Sequence, residues 1–150
     1  MSILKISPAL IAESVDHLRA SKQRERVILW LGERGSDDIR VRKVFLPIQV
    51  TAADYFRIPE AGMDALFALL RKERLFVAAQ VHTHPHDAFH SPADDRWAIV
   101  RHEGALSLVV PDFCQHTTTT TFVADAKAFQ LDGNDTFVEV EPSSAYVVLE

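Results

Sequence analysis

A largely apolar run from Leu75 to Val81 ends in His82-Thr83-His84-Pro85, and this junction constrains the chain more than any other feature. A run of this length predicts a buried strand that needs a neighbour on each side. Residues i and i+2 of a strand share a face, so His82 and His84 point the same way and can reach one metal ion. After a short loop, Ser91-Pro92-Ala93-Asp94 reads as a helix start. Ser91 suits the N-cap and Pro92 the first helical position. Asp94 then falls in the first turn, facing back toward the loop. Two histidines and one carboxylate with a fourth position open make a catalytic rather than a structural zinc site. A His-x-His pair alone is weak evidence, because most such pairs are ordinary surface or core histidines. The proline turn, the serine and the aspartate at helix-start spacing carry the reading.

The rest of the chain reads as the scaffold for that stretch. Ile3 to Ile6 predicts a small edge strand, and Ser7-Pro8 opens a helix over residues 8 to about 22. Ile11, Val15 and Leu18 mark its inner face, with Glu13, Asp16 and Arg19 outside. Val27 to Leu31, closed by Gly32, predicts a buried central strand. A turn at Gly35 to Asp38 leads into Ile39 to Val50, a strand antiparallel to the previous one and ended by Pro47. Asp54 to Ile58 predicts a short strand. Pro59 opens a second helix with Met63, Leu66, Phe67 and Leu70 on its face. Arg71, Lys72 and Arg74 suit the negative end of that helix's dipole. The helix begun at Pro92 carries Ala93, Trp97 and Val100 inward and ends near Glu103-Gly104, with His102 on its surface. Leu106 to Val110 is a further buried strand closed by Pro111. Thr117 to Ala124 predicts a strand from the β-propensity of threonine. Ala128 to Leu131 and Phe137 to Val140 flank a hairpin turn at Asp132-Gly133-Asn134-Asp135, and Ala145 to Leu149 is a last strand. No repeat or linker interrupts the pattern. Residues 1–150 predict a single α/β domain, a mixed sheet with helices packed around it.

Composition excludes several functions. A net charge of −5 and a pI of about 5.8 advertise no basic face for nucleic acid. The single cysteine, Cys114, rules out an internal disulfide and fits a reducing, cytoplasmic setting. The first residues lack the pattern of a signal peptide. No apolar run approaches the ~18 residues of a membrane span. Cys114 is a poor nucleophile candidate, with only His116 near it in sequence and no third orienting group. A glycine-rich phosphate loop and a His-Glu-x-x-His helix are both absent.

His82-Thr83-His84-Pro85 followed by Ser91-Pro92-Ala93-Asp94 resembles the motif of the JAMM zinc metalloproteases, also called JAB or MPN+. That motif has a glutamate far upstream, then His-Ser/Thr-His-Pro, a short loop and Ser-x-x-Asp. The family glutamate opens a buried strand that ends in glycine, and Glu25-Arg26-Val27-Ile28-Leu29-Trp30-Leu31-Gly32 has that form. The resemblance covers most of the first ~115 residues in family order, and its motif is specific. Five residues separate Pro85 from Ser91, one fewer than in the family pattern. His86 and His90 lie within that loop and are further candidates to join the site or touch substrate.

The resemblance implies a cytidine-deaminase-like α/β/α sandwich with a mixed, mostly antiparallel sheet. It implies a zinc ion on His82, His84 and Asp94, with Glu25 as the general base that is not itself a ligand. Ser91 would add an oxyanion hydrogen bond to its capping role. The implied reaction is hydrolysis of an isopeptide or peptide bond at the C-terminus of a ubiquitin-like protein, in deconjugation or precursor processing. The compact length resembles prokaryotic-type members, which act with ubiquitin-activating-like or conjugating-like enzymes. Two other functions fit the same residues less well: a zinc hydrolase of a small peptide or other amide, and a non-catalytic binding module.

Overall fold

The computed structural model describes residues 3–91, 94 and 98–150. In chain order its elements are β1 (Ile3–Ile6), α1 (Pro8–Arg19), β2 (Val27–Arg34), β3 (Asp38–Phe45), β4 (Val50–Thr51), β5 (Phe56–Arg57), α2 (Glu60–Glu73), β6 (Phe76–Thr83), β7 (Leu106–Val110), α3 (Phe122–Asp125), β8 (Lys127–Leu131), β9 (Phe137–Val140), α4 (Pro142–Ala145) and β10 (Tyr146–Val148). Eight strands make one sheet in the order β10-β1-β3-β2-β6-β7-β8-β9, and β4 and β5 pair separately. The β10/β1, β1/β3 and β6/β7 pairs are parallel; β3/β2, β2/β6, β7/β8 and β8/β9 are antiparallel. The sheet is therefore mixed and mostly antiparallel, as expected.

The two long apolar runs occupy the centre because only a doubly covered strand can bury side chains on both faces. Val27 to Leu31 of β2 are each inaccessible to solvent. One face packs under α1, whose Ile11, Val15 and Leu18 share a core with Ile28, Trp30, Ala79 and Val81. Each buried side chain of this size contributes roughly 1.5–3 kcal/mol. The indole Nε1 of Trp30 donates to Ser14 Oγ at 3.0 Å, so this buried polar group is satisfied. The other face packs under α2, where Leu66 meets Val27, Leu29 and Leu31, with Met63, Leu69 and Leu70 half-buried around it. The two helical layers on opposite faces give the α/β/α arrangement.

Several expectations change. β1 is interior rather than an edge, because β10 returns from the C-terminal region to pair with it, Leu4 opposite Tyr146. Gly32 does not end β2; it lies inside the strand, beside register shifts toward both neighbours. A Cβ there would meet the Arg40 carbonyl oxygen at 2.7 Å, so the close approach of β3 requires glycine. Phe67 is exposed because the inner stripe of α2 runs through Leu66, Leu69 and Leu70, and one residue's rotation carries Phe67 off it. Thr117 to Ala124 is not a strand. The hydroxyls of Thr118 and Thr121 each accept the other residue's backbone N–H, and Thr117 Oγ1 donates to Asp125. These local bonds compete with a ladder and set up the short α3 instead. Asp94 has helical conformation, but residues 98–103 do not, so His102 lies on a turn and the helix does not reach Glu103. Pro92, Ala93 and Trp97 lie outside the described residues.

Replacing Gly32 with alanine should destabilise the protein by about 1–3 kcal/mol, the usual cost of overpacking a core strand. Urea denaturation of the two proteins measures this, with an unchanged slope indicating that the effect is on stability alone.

Candidate metal centre

The register of β2 on β6 assembles the site. Val27 lies opposite His82 in this antiparallel pair. Two residues outward on each chain, Glu25 and His84 come together, with Glu25 Oε1 at 3.7 Å from His84 Nε2. Glu25 itself precedes β2, and its N–H donates to Ala52 O at 2.7 Å beside the β4/β5 hairpin. His82 and Gln80 share the face of β6 that looks toward α2, and His84 continues their alternation.

Asp94 meets the two imidazoles through one oxygen. Its Oδ2 is 3.0 Å from His84 Nε2 and 3.1 Å from His82 Nε2. The same oxygen accepts the Ser91 N–H at 2.8 Å, while Ser91 Oγ accepts the Asp94 N–H at 3.1 Å. This reciprocal pair is a capping box, with the acid three residues after the serine. It turns the Asp94 carboxylate back onto the loop. Accepting there uses an oxygen lone pair of Ser91 and leaves its O–H proton to donate elsewhere.

The donor set fits a metal ion. His82, His84 and Asp94 are all buried and each offers a ligand atom within 4.8 Å of the others. Adjacent ligands around tetrahedral zinc with ~2.0–2.1 Å bonds stand ~3.3 Å apart, close to the separations here. Neither ring nitrogen of buried His82 makes a well-aligned hydrogen bond among the described residues, although its Nε2 lies 3.1 Å from Asp94 Oδ2. Buried nitrogens without such bonds are costly, and a cation at the convergence point satisfies those that face it. Neither His86 nor His90 belongs to the group. The His86 side chain is exposed, while its carbonyl accepts the Asp112 N–H at 3.0 Å. The His90 ring is half-buried, with its Nε2 3.1 Å from Ser107 Oγ.

A strained turn holds the second histidine. Asp112, Phe113 and Cys114 follow β7 with φ of 54°, 52° and 62°, three consecutive left-handed residues without a glycine. Such residues cost roughly 1–2 kcal/mol each. In return, the Phe113 N–H donates to His84 O at 2.8 Å and the Asp112 N–H to His86 O. With His84 N–H bonded to Val110 O at 3.0 Å, the backbone around His84 is held from both sides. Strain that persists beside a polar cluster marks a functional constraint. Cys114 is buried beneath α1, and burial pushes its thiol up to about 11, which leaves it inert at neutral pH.

The two carboxylates are driven in opposite directions. Burial alone would raise Asp94, but the His82 charge, the close approach of the His82 and His84 rings and the Ser91 N–H outweigh it and hold the carboxyl far below its ordinary range. Burial dominates at Glu25 and raises it to about 7; the His84 charge pulls the other way, while Asp94 and Asp54 add to the rise. For His84, burial opposes the charged ring, yet Asp94 and Glu25 together raise it. Glu25, Asp54, His84, Phe89 and Ser91 line a cleft of about 370 Å³ that opens the site to solvent. Phe89 lines it with its ring centroid 4.5 Å from His84, and buried Phe56 lies 5.3 Å from His82. Reading the sequence missed these two rings, Asp54, and the buried pair Gln80 and Ser107. The last two had a visible signal, as lone polar residues inside apolar strands.

Elemental mass spectrometry should find one zinc per chain in the wild type and none in His84→Ala or Asp94→Ala. Glu25 adds a pH dependence of stability. A folded-state value of about 7 against an ordinary 4.5 means its contribution is fully present below pH 4.5 and is lost as pH rises through 7. In chelator-treated protein, Glu25→Gln should therefore match the wild type near pH 4.5. Above pH 7 it should exceed the wild type by about 1–3 kcal/mol. Denaturation curves at several pH values measure the gap.

Comparison with known proteins agrees with this geometry. A family profile described as "Prokaryotic homologs of the JAB domain" matches residues 7–123. That span contains Glu25, His82, His84, Ser91 and Asp94. The protein named "Probable metalloprotease y4jG" of Sinorhizobium fredii (strain NBRC 101917 / NGR234) is 32% identical over 130 residues, covering 83% of this chain and 78% of its own. In fold, the chain is similar to a protein of Desulfitobacterium hafniense solved in solution, with a TM-score of 0.71 at 18% identity over 99% of this chain and 94% of that one. A Salinibacter ruber protein, also solved in solution, gives a TM-score of 0.61 at 20% identity over 97% and 92%. The structural likenesses carry the fold; the profile and the S. fredii relative carry the kinship. On these matches, the chain belongs to the JAB (JAMM) family, among its prokaryotic homologues.

Proposed function

We propose that the protein is a zinc-dependent hydrolase that cleaves an isopeptide or peptide bond at the C-terminus of a ubiquitin-like protein. The observation that carries the reading is the buried convergence of His82, His84 and Asp94 with Glu25 beside them at the mouth of a cleft. Family membership and the metalloprotease name of the S. fredii relative support metal-dependent hydrolysis. The ubiquitin-like substrate follows from the motif resemblance, as do ubiquitin-activating-like or conjugating-like partners.

A zinc ion on the two imidazoles and the carboxylate supplies Lewis acidity, polarising a carbonyl and acidifying water. The chain's own residues do the remaining work. Glu25, buried beside His84, is placed to take a proton from the attacking water and pass it to the leaving amine. Asp94, oriented by its reciprocal bonds with Ser91, would be the carboxylate ligand. Ser91 lines the cleft, and its O–H, whose oxygen already accepts the Asp94 N–H, is the group this reading assigns to the oxyanion that develops on the substrate carbonyl. On this reading the cleft beside the site takes an extended peptide, a shape that a flexible C-terminal tail adopts readily. Among the described residues no helix is long and apolar enough to cross a membrane. A cytoplasmic setting belongs to this reading, in keeping with a single reduced cysteine.

The test is cleavage of a panel of ubiquitin-like proteins carrying C-terminal peptide extensions, run beside short free peptides. Cleavage at the end of a folded modifier is expected. Glu25→Gln should keep its zinc and lose at least ~10²-fold in turnover, and Ser91→Ala should lose ~10²-fold. Turnover of free peptides alone would replace the ubiquitin-like substrate with a small amide. A fully active Glu25→Gln would remove Glu25 from the chemistry.

A further inference from the structure

Asp94 is the one member of the donor group that lies outside the sheet and its immediate ends, so its segment has to be fastened to the strands that carry the histidines. Two buried polar side chains do this. Gln80 lies two residues before His82 on the same face of β6, and Ser107 of β7 is directly opposite it in register. Gln80 is 1% exposed and Ser107 fully buried. Gln80 Nε2 donates to Ser107 Oγ at 3.0 Å.

The same pair grips the Asp94 segment at two points. On the near side, Ser107 Oγ is 3.1 Å from Nε2 of His90, the residue before Ser91. The His90 ring is also seated against Phe137 and Phe129, with centroids 4.4 and 5.3 Å away. On the far side, Gln80 Oε1 accepts the backbone N–H of Ile99 at 2.9 Å. Ser91, adjoining the first grip, hands its own N–H to Asp94 Oδ2. Amide and hydroxyl groups in two central strands cost free energy unless fully bonded. Apolar residues would fill these positions if packing were the only demand.

We infer that Gln80 and Ser107 form a two-point clamp that sets the distance between Asp94 and the histidine pair, and so the affinity of the site for its metal. They are positioning residues: neither is among the donor atoms. The inference rests on the metal-site reading above. Groups bonded directly to ligands typically govern 10–100-fold in metal affinity; Gln80 and Ser107 act one step further out, through Ile99 and His90, so the low end of that range is expected.

The test is zinc affinity, measured by competition with a chromophoric chelator, for the wild type, Ser107→Ala, Gln80→Met and Gln80→Glu. Ser107→Ala deletes one oxygen and Gln80→Met keeps the volume, so both should fold. Thermal melting of the chelator-treated proteins reads any packing cost separately. Ser107→Ala and Gln80→Met should each weaken zinc binding about 10-fold. Gln80→Glu, which keeps an oxygen for Ile99, should recover much of the loss. Affinities within about twofold of the wild type, whatever happens to the melting temperature, would overturn the clamp and leave Gln80 and Ser107 as mere sheet stabilisers. A wild type that takes up no zinc would defeat the metal-site reading first, and the clamp with it.

Discussion

The antiparallel register of β2 on β6 is the constraint on which the site depends. With Val27 opposite His82, the start of one strand and the end of the other lie at the same end of the sheet. Glu25 therefore reaches His84 although 58 residues lie between them in sequence. The parallel pairing of β6 with β7 brings the end of β7 to that same place, where the left-handed turn at Asp112 to Cys114 takes hold of His84 and His86. A slip of one residue in β6 would turn His82 and Gln80 into the core beneath α1. The burial of both faces of these strands is what forbids the slip.

Within that frame the electrostatics separate two carboxylates that share a small space. Asp94 has two imidazoles and the Ser91 N–H against it, which favour its ionised form. For Glu25, burial outweighs the nearby His84 and raises it to about 7. Environments that push two acids apart are the usual basis for different roles in one site. The difference suits a fixed ligand and a proton carrier, the roles proposed here. It arises from position alone, since the side chains differ by a single methylene.

Departures from local structural rules gather around this one end of the sheet. The three left-handed residues, the ring nitrogens of His82 without a well-aligned hydrogen bond, and the amide and hydroxyl of Gln80 and Ser107 all lie in or next to the metal centre. Elsewhere left-handed non-glycine residues stand singly, at Lys22, Arg74 and Asp135, the second of them capping α2. Such a concentration of departures at one end of the sheet is what a functional site leaves in a fold.

Much of this was legible in the sequence, and the reasons divide cleanly. Apolar runs and helical stripes declare β2, β6, β7, α1 and α2, because burial on one face or two imposes a periodicity that needs no knowledge of partners. The spacing of His82, His84, Ser91 and Asp94 is likewise local, set by the strand alternation and by a capping box. Non-local facts were not legible: that β10 covers β1, and that Gly32 must admit the Arg40 carbonyl. Nor were the backbone bonds from Asp112 and Phe113 to the histidine loop. The threonines of 117–121 misled for a related reason, since hydroxyls able to support a strand satisfied the backbone in a turn once no neighbouring strand was on offer. The chain by itself determined which residues could bind a metal and which stretches had to be buried. Only the tertiary structure decided that Glu25 meets His84 and that Gln80 and Ser107 face His90 and Ile99, because strand pairing between distant segments is chosen by the packing of the whole sheet.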